Sequence, residues 1–161
     1  MNAVKRIGIF GGSFDPPHLG HKRAADFFTR EMQLDQLLIL PANAAPLKEK
    51  TARASAADRL ALCRLTFGGA GARVCDWELR RTGESYTIDT LRQLQAREPG
   101  AALFLLMGFD QLLQFRRWRE WEAILGCCTL VCLPREAEQT QPAQGFDYHW
   151  LKGFRPLAVS S

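Results

Sequence analysis

His18 and His21 are two of only three histidines in the chain, and they stand close behind Gly11-Gly12 in the stretch GGSFDPPHLGH. Three chemistries use such a pair. With the Asp15 carboxylate it could begin a metal site, but a complete site needs three or four ligands and the sequence holds no second ligand cluster. Two imidazoles at the start of a helix can also serve as caps. The third use is donation to phosphate oxygens above a glycine loop, where backbone N–H groups from Gly11 through Ser13 and Phe14 and the helix dipole already favour an anion. Gly20, between the histidines, leaves room for a ligand to approach the backbone. Asp15-Pro16-Pro17 stiffens the loop, because each proline fixes its own φ and restricts the residue before it. The place of the pair, behind an apolar run and ahead of an amphipathic one, favours phosphate. The absence of G-x-G-x-x-G and of G-x-x-x-x-G-K-[ST] excludes a dinucleotide fingerprint and a Walker-type NTPase.

The elements that must carry these residues follow from periodicity. Short apolar, branched runs predict strands over 4–10, 36–42, 72–79, 101–108 and 128–134. Amphipathic runs between them predict helices over 19–32, 55–67, 86–98 and 109–125, the second opened by the capping pair Ser55 and Asp58. The polar stretch 135–146 reads as a surface loop, and His149 as a surface or strand position without a role. Near-continuous apolar strands alternating with helices indicate βαβ units and a parallel sheet covered on both faces. The expectation is one open, doubly wound α/β domain over residues 1–161. Its ligand would bind beyond the carboxyl ends of the strands, near a topological switch point.

Composition narrows the partners. With 47% apolar residues, 24% charged residues and a net charge of +4, the chain favours anionic small ligands. It has no arginine stripe or aromatic ladder for nucleic acid, and RRWREWE, which interleaves acids with bases, reads as a solvated helix face. The five cysteines (Cys63, Cys75, Cys127, Cys128 and Cys132) are odd in number and form no C-x-x-C pair, so a disulfide framework or zinc site is not expected and a reducing compartment is. The N-terminus is too short in apolar residues for a signal peptide, and no apolar run approaches the roughly 18 residues of a membrane span. The expected location is the cytoplasm, with no membrane partner. No feature of the sequence sets an oligomeric state.

GGSFDPPHLGH is similar to the signature of the nucleotidyltransferase superfamily of adenylyl- and cytidylyltransferases, whose loop ends in H-x-G-H. Three further stretches, PANAAPLKEK (41–50), GESYTIDTL (83–91) and GFDQLLQFRRWREWEAIL (108–125), resemble the bacterial nicotinate-nucleotide adenylyltransferases. That resemblance runs from Ile7 to about Arg135. Phosphopantetheine adenylyltransferases, of similar length, lack these elements.

The resemblance implies a Rossmann-like fold and the joining of nicotinate mononucleotide to ATP, with Mg²⁺ on the phosphates, in NAD biosynthesis. It implies that His18 and His21 are catalytic. ATP would meet Gly11, Gly12, Ser13, Phe14, His18, Gly20, His21, Gly108, Asp110 and Ser160. The mononucleotide would meet Asp15, Lys48, Ser85, Tyr86, Thr87, Trp118, Arg119 and Arg135. In this scheme Thr87 and a backbone N–H near Arg119 serve the nicotinate carboxylate, and Trp118 stacks on the pyridine ring. No protein side chain is implied as a metal ligand. Asp110 could also be a simple helix cap, Trp118 and Trp121 could be core aromatics, and Ser85 and Tyr86 could shape their loop. Departures from the family pattern are Leu47, where a histidine is usual before Lys48, Phe109, where a small or polar residue is usual, and the missing proline-glycine after Arg135. PLAVSS resembles the opening of an I-S-S-T-x-I-R motif, so the family's C-terminal helical part is expected to be absent from the chain. The alternatives are a related adenylyltransferase taking nicotinamide mononucleotide or phosphopantetheine, and a nucleotide-binding pseudoenzyme without that motif.

Overall fold

The computed structural model describes residues 3–43, 54–69 and 71–156. Its elements are β1 (Arg6–Gly12), α1 (Leu19–Glu31), β2 (Gln36–Pro41), α2 (Ala56–Phe67), β3 (Ala72–Val74), α3 (Thr87–Arg97), β4 (Ala102–Gly108), α4 (Phe109–Leu113), a 3₁₀ turn (Phe115–Arg117), α5 (Trp121–Cys127), β5 (Thr129–Leu133) and β6 (His149–Trp150). The strands form one sheet in the order β3-β2-β1-β4-β5-β6, and every pairing is parallel. Strand order reverses between β1 and β4, which opens a crevice at their carboxyl ends.

Alternation along each strand sends side chains to two apolar layers. Ile7, Ile9, Leu38 and Leu105 pack with Ile88, Leu91 and Leu94 of α3 on one face. Leu37, Ile39, Phe104 and Leu106 pack with Phe28 of α1 and with Cys63 and Phe67 of α2 on the other. Gly8 permits the close approach of α1: a Cβ there would stand 2.8 Å from Phe28 Cε2 and would press on Leu34 as well. Beyond β6, Phe154 packs edge-on against Phe27, and Arg23 Nε donates to the Arg155 carbonyl at 2.7 Å. These contacts bring the last described residues back alongside α1.

The expected doubly wound α/β architecture is present, with four differences in its elements. β1 continues through Gly11 and Gly12, which pair with Leu40 and Pro41, so the glycines end the strand and do not form a free loop. β3 is three residues long; after Cys75 N donates to the Ile39 carbonyl, the chain turns, and Arg80 N bonds the Asp76 carbonyl. The expected helix over 109–125 is broken. Phe115 is driven fully into the core, the bonds Gln114 N to Gln111 O and Arg117 N to Gln114 O tighten the turn, and Glu120 takes a left-handed φ of 51°. The Arg92 guanidinium grips both Glu120 carboxylate oxygens at 2.9 and 3.2 Å, and Arg116 lies over the rings of Trp121 and Phe146. These tertiary contacts outweigh a helix propensity of tenths of a kcal/mol per residue, on the order of the usual scale. The RRWREWE segment is therefore no uniform solvated face. Finally, the exposed His149 lies in β6, a short edge strand that periodicity did not indicate.

Gly8→Ala is expected to destabilise the fold by about 1–3 kcal/mol, the usual cost of overpacking. The readout is a lowered urea midpoint with an unchanged m-value. Wild-type stability would mean that Phe28 and Leu34 yield without loss.

Candidate active site

The backbone leaving β1 is held from several sides. Ala42 N donates to the Gly12 carbonyl at 2.8 Å. Arg59, on α2 and only 2% exposed, donates from Nη1 to the carbonyls of Ser13 at 2.8 Å and Ala42 at 2.7 Å. Asp15 Oδ1 accepts from Ala54 N at 3.0 Å, and the Asp15–Pro16 peptide is cis. Phe14 adopts a left-handed φ of 48°, which costs a residue with a Cβ on the order of 1–3 kcal/mol. Its buried ring secures that conformation, lying edge-on to Phe10, Phe67 and His21. Phe14 thus gives its side chain to the core and only its backbone to the crevice. A Cβ on Gly11 or Gly12 would meet no described protein atom closer than 3.6 Å. Packing within the fold does not require glycine at either position.

His18 is the N-cap of α1. Its Nδ1 accepts from Gly20 N at 3.0 Å, while His21 Nδ1 accepts from His18 N at 3.1 Å. This is a capping box built from two imidazoles, which stack with centroids 3.9 Å apart. A ring nitrogen that accepts an N–H carries no proton, so this network assigns the proton of each ring to Nε2. His18 Nε2 is buried and has no partner among the described residues. The cap and phosphate-donor roles are therefore compatible, because they use different nitrogens. Among the described residues no three His, Cys, Asp or Glu side chains group as metal ligands. Burial pushes the Cys63 thiol up to about 11, against the pull of Arg59, and the Cys128 and Cys132 thiols up to about 12, which keeps all three protonated at neutral pH.

The neighbouring strand ends bring Gly108, Asp110 and Arg135 together. Gly108, paired with Leu133 at the end of β4, is the N-cap of α4, and its N–H bonds Gln111 Oε1 at 2.9 Å. Asp110 is therefore not the cap; it sits inside the first turn, where its exposed carboxylate pairs with Arg135. Arg135 also lies over the Phe109 ring at 5.0 Å.

A third group gathers around the start of α3. Arg119 lies 4.6 Å over the Tyr86 ring, and the Tyr86 hydroxyl donates to Glu84 Oε2 at 2.5 Å, which raises the tyrosine pKa. Trp118 is half-buried and packs at 5.3 Å on Phe115; Thr87 opens α3. Ser85 is buried, and its hydroxyl accepts from Arg81 Nη1 at 3.4 Å. Lys48 and Ser160 lie outside the described residues.

Sequence reasoning missed Arg59 and the polar group Glu78, Arg81 and Thr90. Arg59 had a legible signal: it shares the i, i+4, i+8 stripe of α2 with Cys63 and Phe67, both buried. Glu78 gave no such signal, since the segment read as a strand. Burial raises its pKa, against hydrogen bonds from Thr90 and Ser85 and the charge of Arg81. An open cavity of about 520 Å³ lined by Leu125, Cys128, Thr129, Asp147, Tyr148 and His149 lies at the amino ends of β5 and β6, the edge opposite His18, and contains none of these groups.

A family model described as cytidylyltransferase-like matches residues 9–161. A relative from Pseudomonas entomophila is 42% identical over 142 residues, covering 87% of this chain and 64% of its own length. One from Methylibium petroleiphilum is 39% identical over 168 residues, covering 100% of this chain and 79% of its own. Both carry the name "Probable nicotinate-nucleotide adenylyltransferase". The chain thus spans just under two thirds of the Pseudomonas relative. Among solved structures, nicotinic acid mononucleotide adenylyltransferase of Plasmodium falciparum complexed with APC matches with a TM-score of 0.71 at 17% identity, over 85% of this chain and 67% of that one, which is a likeness of fold.

Arg59→Met removes the donor to two carbonyls at the edge of the crevice. It is expected to lower stability by about 1–3 kcal/mol, the usual cost of leaving buried acceptors unpaired, measured by chemical denaturation. Stability equal to wild type would show that water replaces the guanidinium without loss.

Proposed function

The chain belongs to the cytidylyltransferase-like family, and we propose that it transfers the adenylyl group of ATP to nicotinate mononucleotide, giving deamido-NAD and pyrophosphate. The observation that carries the reaction type is the imidazole pair at the switch point, with each Nδ1 consumed by backbone and a buried His18 Nε2 without a partner among the described residues. The choice of acceptor draws on the names of relatives at about 40% identity and on the grouping of Tyr86 with Arg119.

On this reading a phosphate oxygen of the mononucleotide attacks the α-phosphorus of ATP. One P–O bond forms, the bond to the bridging oxygen breaks, and its electron pair leaves with pyrophosphate. The attacking oxygen is already an anion, so no general base is required. The protein aligns the two phosphates and stabilises charge on the leaving group. His18 and His21 donate from Nε2, and the backbone of Gly11, Gly12, Ser13 and Phe14 lines the approach. Glycine at 11 and 12 is then required by the ligand. Gly20 keeps the start of α1 open, and Gly108 and Asp110 face the nucleoside from the next strand. Asp15, Lys48 and Arg135 belong to the acceptor side and Ser160 to the triphosphate. Trp118 stacks on the pyridine ring, while Thr87 and a backbone N–H near Arg119 meet the carboxylate. Magnesium enters as part of the ATP substrate; the donor set here suits an ion held by phosphates and water, magnesium's ordinary mode. We read residues 1–161 as one domain and the protein as cytoplasmic. No helix among the described residues is long and apolar enough to cross a membrane.

The direct test is formation of dinucleotide from ATP–Mg²⁺ with either the acid or the amide mononucleotide. kcat/KM should favour the acid; preference for the amide, or turnover with neither, overturns the reading. His18→Ala and His21→Ala should each lower kcat by about 10²- to 10³-fold, the usual loss for one donor to developing charge, with KM less affected. Wild-type kcat in both would remove the phosphate-donor role. Trp118→Ala should raise KM for the mononucleotide roughly 2- to 10-fold, the worth of one aromatic stack, and leave KM for ATP unchanged.

A further inference from the structure

Ser85 and Thr90 are buried hydroxyls held between opposite charges. Arg81 donates to Thr90 Oγ1 at 2.7 Å, to Ser85 Oγ at 3.4 Å and to Gln93 Oε1 at 3.0 Å. Thr90 Oγ1 donates in turn to Glu78 Oε2 at 2.9 Å. A hydroxyl has one proton and two lone pairs. The Thr90 proton goes to Glu78 and a lone pair of each oxygen faces Arg81, so the guanidinium holds both hydroxyls inward. Gly83, at φ +80°, makes the turn that returns Ser85 to Arg81, and Asn43 Nδ2 ties the Arg81 carbonyl to the end of β2 at 3.2 Å.

We propose that Glu78 and Arg81 form a positioning bracket that locks Ser85 inward and so aims Tyr86, Thr87 and the first N–H groups of α3 at the acceptor's ring carboxylate; this rests on the acceptor assignment above. Tyr86 has extended backbone, so its side chain leaves the loop on the face opposite Ser85, where Arg119 covers it. Thr87 then begins an 11-residue helix whose N-terminal dipole favours an anion. The bracket carries one positive and one negative charge. Glu78 therefore presents no uncompensated anion to repel a carboxylate, and the specificity comes from aimed neutral donors. Ser85, Glu78 and Arg81 act through Tyr86 and Thr87 and are positioning residues.

The test measures kcat and KM for the acid and the amide mononucleotide in Thr90→Val, Ser85→Ala and Arg81→Lys, with Thr90→Ser as the rescue and Thr87→Ala as the control. Thr90→Val and Ser85→Ala leave every charge in place, and Arg81→Lys keeps the charge but loses the fork. Each should lower the acid-to-amide ratio of kcat/KM by roughly 5- to 10-fold, the scale of one lost hydrogen bond, through KM for the acid, with KM for ATP unchanged. Thr90→Ser should stay near wild type. If Thr87→Ala lowers the ratio while Thr90→Val and Ser85→Ala fall equally on acid and amide, the bracket is merely structural and the proposal is overturned. If Thr87→Ala leaves the ratio unchanged, the acceptor assignment fails and the bracket's role falls with it.

Discussion

The backbone leaving β1 must satisfy its polar groups between two parallel neighbours before α1 can begin. Turns usually meet this demand with water, but here the chain is closed in by α2 and by Phe14. Arg59 supplies the missing donors from below, giving one guanidinium nitrogen to the carbonyls of Ser13 and Ala42, which follow adjacent strands. With those carbonyls turned inward, the left-handed Phe14 and the approach to His18 are fixed. A buried guanidinium with no carboxylate partner among the described residues is costly in isolation. Its charge lies beneath the carboxyl ends of β1 and β2, where the phosphates of the proposed substrates would gather.

The histidine pair shows how a small motif can cap a helix and still leave His18 Nε2 for the phosphate role proposed above. Helix α1 has no acidic residue in its first turn and no serine, threonine, asparagine or aspartate at its cap. The imidazoles take over that work through Nδ1, and the stack between them fixes both ring planes. A donor whose direction is set by a backbone bond on the other side of the ring needs little reorganisation when charge develops nearby. Ser85 likewise turns its hydroxyl inward, where it accepts from Arg81.

What the sequence showed and what it hid divide along physical lines. β1, β4 and the start of α1 were legible because apolar period, glycine and proline act locally. Ser55 was readable as a cap for the same reason, and its Oγ does accept from Asp58 N at 3.1 Å. The break in the expected helix over 109–125 was not legible, because its causes are the Arg92 fork on Glu120 and the packing of Arg116 on Phe146, contacts across 28 and 30 positions of sequence. Arg59 was readable from its stripe yet looks like a misplaced charge until the carbonyls of Ser13 and Ala42 appear beside it. The exchange of partners among Glu78, Thr90, Arg81 and Ser85 exists only once α3 packs against the segment after β3.

Charge compensation around the crevice is graded by depth. Arg59 is buried against neutral carbonyls, and Arg81 is matched to Glu78 through the Thr90 hydroxyl. Arg135 pairs with Asp110 in the open, with side chains 56% and 73% exposed. An exposed pair of this kind contributes about 0–1 kcal/mol, so a ligand that offers either partner a better bond can displace it at little cost. The deep contacts are far more expensive to disturb, because each leaves a buried group unpaired. The exposed rim pair can therefore exchange partners at little cost, while the buried contacts beneath it stay fixed. The adenylyl transfer proposed above would suit that division, since the reaction moves charge between phosphates held in line and needs no side chain to change its covalent state.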